Sequence, residues 1–281
     1  MSCPALTIND LCVTFPAGNR EILHHLSFSV PGGHTVALVG ESGSGKTMAA
    51  MAVMNLLPHG MLRSGGSISV NDHPTEGLSP DQYRKLRHTQ VAMVMQNPMS
   101  AFDPVLNIFH HFKETLISHG ITSTPQIRKM AADGLAEAGF STPFSILELY
   151  PFQMSGGMLQ RVMLALALML SPPLVIADEA TTDLDVLSQK RILTLLHDHC
   201  RKQHLALLII THDLGVAAAM ADEIVVIRSG RLVEKGPTAD IFSAPASPYT
   251  AELLAVHRGL YTPRYLNIME SLTGRGVYAA D

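Results

Sequence analysis

The sequence predicts an α/β protein whose sheet is mostly parallel, and two observations lead to this prediction. Short apolar, β-branched segments alternate with segments of helical periodicity along most of the chain, which is the pattern of a sheet covered by helices. A glycine-rich segment, 40–45, stands between an apolar segment and a helical one, as in a nucleotide-binding βα unit. With 281 residues, of which 47% are hydrophobic, the chain is long and apolar enough to bury a large core.

Each strand and helix is predicted from the period of its apolar residues. Continuous apolar runs predict buried strands at 34–39, 91–95, 173–177 and 205–210. Alternation of apolar and polar residues predicts half-exposed strands at 5–15 and 26–30, an edge strand at 65–71, and a hairpin formed by 223–228 and 231–235. Helical periodicity outside the middle of the chain predicts helices at 46–57, 159–170 and 187–203.

The middle of the chain differs in character from the rest. From residue 99 to residue 158 the pattern is helical and no strand is evident, which predicts an inserted helical subdomain. We therefore expect residues 1–98 and 159–237 to form one core, residues 99–158 the helical subdomain, and residues 238–281 a C-terminal extension.

Composition excludes several classes of protein. The net charge of −4 supplies no overall positive field, so nucleic acid is not an expected partner. The 3 cysteines, Cys3, Cys12 and Cys200, lie too far apart to suggest a disulfide framework. The longest apolar run, 162–170, is about half of the ~20 residues that a membrane-spanning helix needs, and no signal peptide is evident at the start. We expect a cytosolic chain that can dock on a membrane protein.

The strongest motif follows the buried strand at 34–39 and has the pattern G-x-x-x-x-G-K-[ST]. Its glycines let backbone N–H groups converge on phosphate oxygens, Lys46 is placed to reach the outer phosphates, and the Thr47 hydroxyl to bind Mg²⁺. The alternative, a glycine-rich turn that binds nothing, is disfavoured by the preceding strand. The motif consists of Gly40, Glu41, Ser42, Gly43, Ser44, Gly45, Lys46 and Thr47.

Two further motifs bear charged or anion-binding groups. The apolar segment 174–177 ends in Asp178 and Glu179; Asp178 is placed to hold Mg²⁺ through its water shell, and Glu179 to polarise an attacking water. Ser155, Gly156 and Gly157 open the helix at 159–170. This turn can bind an anion or simply cap the helix, and the residues leave both interpretations open.

Taken together, these motifs resemble the ATP-binding cassette (ABC) ATPase family over roughly residues 5–255. The resemblance implies a RecA-like P-loop core with an N-terminal antiparallel β-subdomain and an inserted helical subdomain. It also implies that Ser155, Gly156 and Gly157 are the signature motif, which contacts the γ-phosphate of an ATP held by the opposite subunit.

The resemblance assigns roles to residues that the pattern alone does not single out. Gln96, after the strand at 91–95, matches the residue that senses Mg²⁺ and the permease. Asp185 belongs to a match of the D-loop at 182–185, and His212 matches the switch histidine. Phe15 stands where the family places an aromatic ring against adenine, although a core strand residue would look the same. The sequence departs from the family at Met158, usually glutamine, and at Ala180, usually proline.

Within this family the chain resembles the peptide/nickel importer branch, through segments 95–104 and 241–250 and especially 150–161, and within it the ATPases of nickel importers. The resemblance implies ATP and Mg²⁺ as ligands, a second, paralogous ATPase as partner, two transmembrane permeases and, indirectly, an extracytoplasmic substrate-binding protein. The location it implies is peripheral, on the cytoplasmic face of the bacterial inner membrane. Some peptide-importer relatives carry a cysteine cluster and an iron–sulfur centre in the tail; because no cysteine follows Cys200, we expect no iron–sulfur cluster here.

The cargo stays open at this point. Nickel, a metal–metallophore complex and a short peptide fit the same subunit, and a soluble, non-transport cassette ATPase is the alternative from another class. The 14 histidines, including the pairs 24–25 and 110–111, are expected to be ordinary ones, because adjacent histidines point in different directions and do not form a chelate.

Overall fold

A computed structural model describes residues 4–18, 20–181 and 185–260 of the chain. Its strands are β1 (Pro4–Phe15), β2 (Arg20–Pro31), β3 (Thr35–Val39), β4 (Leu62–Val70), β5 (His73–Pro74), β6 (Val91–Val94), β7 (Leu174–Asp178), β8 (Ala206–Thr211), β9 (Glu223–Arg228) and β10 (Arg231–Pro237). Its helices are α1 (Lys46–Met54), α2 (Pro80–Thr89), α3 (Ile108–Ser118), α4 (Thr124–Glu137), α5 (Pro143–Leu147), α6 (Gly156–Leu168), α7 (Val186–Gln203), α8 (Leu214–Met220), α9 (Thr238–Ser243) and α10 (Pro248–Leu260). Short 3₁₀ turns lie at Pro16–Gly18, Pro98–Ala101 and Pro151–Gln153.

The larger sheet has six strands in the order β10-β9-β3-β8-β7-β6. All neighbours pair in parallel except β10, which is antiparallel to β9, so the predicted mostly parallel sheet is confirmed. Every residue of β3, β7 and β8 is buried, because helices cover both faces of such a sheet. The register pairs Val39 with Thr211 and Asp178 with Ile210, so β3, β7 and β8 end at one common edge.

The smaller sheet contains the N-terminal strands in the order β2-β1-β4-β5, all antiparallel. Its strands differ from the prediction in two respects. The second strand starts at Arg20 rather than at residue 26, and β4 is not an edge strand, because it pairs with β1 on one side and with the two-residue strand β5 on the other. The turn into β5 uses Asn71 and Asp72, which both have left-handed backbones, as in a type I′ hairpin turn.

The described residues between β6 and α6 form helices and 3₁₀ turns without a strand, as predicted. Phe112, Leu116, Ile127 and Leu135 are fully buried between these helices. The apolar cluster that they form continues onto one face of the large sheet, where it includes Val175. The sequence boundaries proposed for the helical subdomain at 99 and 158 stay a prediction.

The sequence analysis missed two helices, α2 and α8, and misjudged the end of α1. α2 begins with Ser79 as N-cap and Gln82 as its capping-box partner, a signal that was readable in the sequence. α8 is only seven residues long, Leu214–Met220, too short for a periodic pattern to show. α1 ends at Met54 rather than at residue 57, since Asn55 adopts a left-handed backbone. None of the helices in the described ranges is long and apolar enough to cross a membrane.

Candidate active site

The loop between β3 and α1, residues 40–45, has the geometry of a phosphate-binding loop. Gly45 precedes α1 with a φ of 103°, a backbone conformation that favours glycine. At Gly40 a Cβ atom would come within 2.2 Å of the Ile227 carbonyl oxygen, so only glycine fits there. Both features are those expected of a loop whose N–H groups converge on an anion in front of a helix N-terminus.

The Lys46 side chain folds back onto the start of this loop. Its ammonium donates hydrogen bonds to the carbonyl oxygens of Gly40, at 2.8 Å, and Glu41, at 2.9 Å, and the residue is only 5% exposed. Burial lowers the pKa of Lys46, while the nearby carboxylates Glu179 and Asp178 oppose that shift. A buried cation within a ring of N–H groups is a fitting partner for the charge of a triphosphate.

Thr47 and Asp178 place two oxygen atoms side by side. The Thr47 hydroxyl donates to Asp178 Oδ1 at 3.2 Å, although the two residues stand on α1 and β7. Burial raises the pKa of Asp178, and the hydrogen bond from Thr47 opposes that shift. A hydroxyl beside a carboxylate is an oxygen donor set of the kind that Mg²⁺ prefers, so the residues present fit the expected ion. Gln96 follows β6 by two residues at the same sheet edge, and its side chain is exposed.

Glu179 and His212 meet directly after the ends of β7 and β8. His212 Nδ1 lies 3.1 Å from Glu179 Oε1, within hydrogen-bonding distance. Glu179 has a left-handed backbone, with φ of 46°, and its amide donates to the Ile210 carbonyl at 2.9 Å. Such a strained backbone at a non-glycine residue is characteristic of functional sites. The structure thus brings together two residues that the sequence analysis had placed in separate motifs.

A cavity of about 350 Å³ connects the phosphate loop with this pair. Gly40, Glu41 and Ser42 line one side of it, and Glu179 and His212 line another. The remaining wall comes from α10, through side chains that include Tyr249. The sequence pointed to the start of α10 only through the family resemblance of segment 241–250, which gave this helix no chemical role.

The signature segment lies elsewhere on the chain. Ser155 caps α6, and its hydroxyl accepts a hydrogen bond from the Met158 amide at 3.3 Å. Ser155 and Gly156 are exposed, and no hydrogen bond among the described residues joins them to the phosphate loop. Helix capping is therefore present, and an anion-binding role for Ser155, Gly156 and Gly157 stays a prediction. The Met158 side chain packs against the apolar cluster, which gives this departure from the family a structural role.

Two other predicted ligand contacts lie away from the cavity lining. Phe15, at the end of β1, is half-buried, and its ring lies against Gly18 and Gly60. Asp185 is the N-cap of α7: Oδ1 accepts from the amides of Leu187, at 3.1 Å, and Ser188, at 3.0 Å. The nucleotide contacts expected for both residues stay predictions. The other residues of the D-loop match, 182–184, lie outside the described residues.

The comparisons with known proteins agree with this geometry. The sequence profile described as "ABC transporter" matches residues 23–182, which include the phosphate loop and the carboxylates after β7. The chain belongs to the ABC transporter family. Among its relatives is the nickel import ATP-binding protein NikD of Brucella abortus, 40% identical over 93% of this chain and 98% of that protein. Another is the oligopeptide transport ATP-binding protein AppD of Bacillus subtilis, 42% identical over 89% of this chain and 77% of that protein.

A solved structure supports the same assignment. The ATP-binding cassette MJ0796, in a dimeric structure of a post-hydrolysis state bound to ADP and phosphate, matches with a TM-score of 0.74 and 25% identity. The match covers 83% of this chain and 98% of that one. The α/β cassette fold with its antiparallel sheet and helical segment is confirmed. The chain is an ABC-type ATPase, and ATP is its substrate.

Proposed function

We propose that the chain is the ATP-hydrolysing subunit of an importer that carries nickel or a metal–metallophore complex across the cytoplasmic membrane. The observation that supports this most is the near full-length similarity to NikD, combined with a complete set of hydrolytic groups at one sheet edge. In this proposal the chain sits peripherally on the cytoplasmic face of the bacterial inner membrane and does not bind nucleic acid.

Each group at the sheet edge has a step to perform. The loop amides of residues 40–45 and Lys46 bind the phosphates, while Thr47, Asp178 and Gln96 would hold Mg²⁺, which supplies charge neutralisation between the outer phosphates. Glu179 accepts the proton of the attacking water, and His212 orients Glu179 and the terminal phosphate. The hydrogen bond between Glu179 and His212 supports this division of roles. Phe15 stacks on the adenine ring.

We assign the signature segment to a neighbouring cassette's nucleotide. Ser155 and Gly156 stand exposed and Gly157 half-buried at the start of α6, and the positive end of this helix can face an anion outside its own chain. The dimeric structure of MJ0796 supports a two-cassette arrangement, in which Asp185 also lies at the shared nucleotide. The partner we propose is a second, paralogous ATPase, and the bound ligands are ATP and Mg²⁺ without an iron–sulfur cluster.

Two permeases and an extracytoplasmic substrate-binding protein complete the proposed importer. The proposed docking surface for the permeases consists of exposed apolar side chains in residues 99–158. Tyr150 and Phe152 stack with ring centroids 5.6 Å apart, and Phe152 is 67% exposed. Val105 and Phe144 are 75% and 56% exposed. The stacked pair of exposed aromatic rings is the part of this surface that resembles a protein interface.

A peptide importer is the second candidate, because identity to AppD is as high as identity to NikD. The two are separated by purifying the assembled complex with its binding protein and measuring ATP hydrolysis with Ni²⁺, with a Ni²⁺–histidine chelate and with a dipeptide. The proposal predicts stimulation by nickel or the chelate and not by the dipeptide. Stimulation by the dipeptide alone would contradict the metal cargo and leave the ATPase role standing.

A further inference from the structure

The start of α10 reaches the phosphate loop, although no motif gives this helix a role. Tyr249, the second residue of α10, is 7% exposed and lines the cavity together with Gly40, Glu41 and Ser42. Glu179 and His212 line the same cavity. A C-terminal helix therefore forms one wall of the pocket in which hydrolysis takes place.

The approach of α10 to the loop is fixed by β10. Both carboxylate oxygens of Glu234 accept hydrogen bonds from backbone amides ahead of the helix, from Ala246 at 2.7 Å and Ser247 at 3.0 Å. Thr250, next to Tyr249, is 1% exposed. The first turn of α10 is thereby held at a set position relative to the sheet.

The β9–β10 hairpin already braces both ends of the phosphate loop. Gly40 abuts the Ile227 carbonyl, and the Gly230 amide donates to the Ser44 carbonyl at 2.8 Å. Between these two points Glu41 and Ser42 are exposed, and both line the same cavity as Tyr249. The guanidinium of Arg228, the last residue of β9, lies over the Tyr249 ring at 4.5 Å, so the tyrosine extends the support of the hairpin to the middle of the loop.

The hydroxyl of Tyr249 is buried and has no hydrogen-bond partner in the described part of the chain. Burial raises the pKa of Tyr249, and the adjacent Glu41 backbone amide opposes that shift. Because a buried polar group without a partner costs free energy, the hydroxyl favours a loop position in which the Glu41 amide pairs with it.

We propose that Tyr249 is a positioning residue of the ATPase reaction, which holds residues 40–42 of the phosphate loop in the conformation that binds the phosphates opposite Glu179 and His212. This inference rests on the proposed nucleotide site. Tyr249 acts through the loop and does not touch the reacting atoms. The hydrogen bond between the hydroxyl and the Glu41 amide stabilises that loop conformation, so the affinity for ATP is higher.

The test is the variant Tyr249→Phe, which keeps the ring and its contact with Arg228 and removes only the hydroxyl. Its matched control is Tyr83→Phe, on α2, because Tyr83 is also buried, at 5% exposure, and does not line the cavity. The dissociation constant for Mg-ATP is measured on the purified chain together with Tm, and KM and kcat are measured on the assembled complex.

We expect Tyr249→Phe to weaken ATP binding and raise KM by about fivefold, with kcat changed less than twofold and Tm equal to that of Tyr83→Phe. This is the size of one neutral hydrogen bond, here the bond that the hydroxyl forms with the Glu41 amide when the loop takes its phosphate-binding conformation. Wild-type affinity in Tyr249→Phe, or a lower Tm with unchanged affinity, would overturn the inference and leave the nucleotide site intact. Failure of the unmodified chain to bind ATP would overturn the proposed site and the inference together.

Discussion

At the scale of single residues, the pairing of Glu179 with His212 is the arrangement on which most of the proposed chemistry rests. Glu179 stands one position past the buried end of β7 in a left-handed backbone. That conformation turns its carboxylate toward His212 rather than along the strand direction. The pair therefore lines the same cavity as the phosphate loop, although the three segments are far apart in the sequence.

Replacing Glu179 by glutamine keeps the shape of this pair and removes the proton acceptor. We expect Glu179→Gln to lower ATP turnover in the assembled complex at least ~100-fold, the contribution of a general base, while ATP stays bound. Steady-state hydrolysis and retained radiolabelled ATP are the two measurements. Glu223→Gln, an exposed glutamate at the start of β9, serves as control with unchanged turnover. Wild-type hydrolysis in Glu179→Gln would refute the role of Glu179.

Most of the candidate site could be predicted from the sequence, because its residues stand in short contiguous motifs. The phosphate loop directly follows the buried strand β3, Thr47 lies in the first turn of the helix after it, and Asp178 is the last residue of the buried strand β7. The strand pattern therefore also predicts where these side chains gather. The contacts of Glu179 with His212 and of Tyr249 with the loop join segments that are distant in sequence. Their meeting depends on strand order and on the path of the tail, neither of which a local pattern specifies.

At the scale of secondary structure elements, the α7 N-terminus shows how one side chain can serve a helix and a proposed ligand. The pKa of Asp185 is held below its ordinary value of 3.8, mainly by the hydrogen bond from the Ser188 hydroxyl. The backbone amides of Ser188 and Leu187 contribute further hydrogen bonds that lower it. Because the folded-state pKa lies below the unfolded one, the charged form stabilises the fold above pH 3.8, and this contribution is lost as pH falls through the folded pKa.

We therefore expect Asp185→Ala to lower Tm at pH 7 by ~3 °C, the typical effect of a lost N-cap. Asp185→Asn, which keeps an acceptor oxygen, should lower Tm by less. Its difference in Tm from the unmodified chain should shrink as pH drops below 3.8 and vanish below the folded-state pKa. Thermal unfolding over a pH series measures both. Asp198→Asn, on the exposed face of α7, is the control. Equal stability of Asp185→Ala and the unmodified chain would contradict the capping role.

The packing of α7 can be followed through its cysteine. Cys200 is 2% exposed, and burial raises its pKa to about 12, so at pH 8 its thiolate is scarce and covered. We expect no alkylation of Cys200 by iodoacetamide in the native chain and full alkylation in guanidinium, measured by peptide mass spectrometry. Labelling in the native chain at the rate of the unfolded one would show that α7 does not pack as described.

The elements that the sequence analysis found and those it missed differ in length and burial. Fully buried strands such as β7 and β8 can be predicted because they are unbroken apolar runs in the sequence. The helices α2 and α8 did not, because α2 is mostly polar and α8 contains seven residues, so that capping residues were their main signal.

At the scale of the whole molecule, the exposed apolar side chains of residues 99–158 are the surface that we propose to dock on the permeases. We expect Phe152→Asp to prevent association with the permeases while the isolated chain keeps its affinity for ATP. Phe152 is 67% exposed, so the substitution leaves the core intact and Tm unchanged. Co-purification from membranes and ATP binding are compared in the same preparation. Full retention of the permeases would exclude this surface as the docking site.

Whether this ATPase drives an importer is decided by the proteins with which it assembles. The tagged chain is purified from detergent-solubilised membranes, and the proteins that accompany it are identified by mass spectrometry. The account predicts two multi-span permeases and a second, paralogous cassette ATPase in stoichiometric amounts. Recovery with ribosomes or DNA, or without any membrane protein, would contradict it.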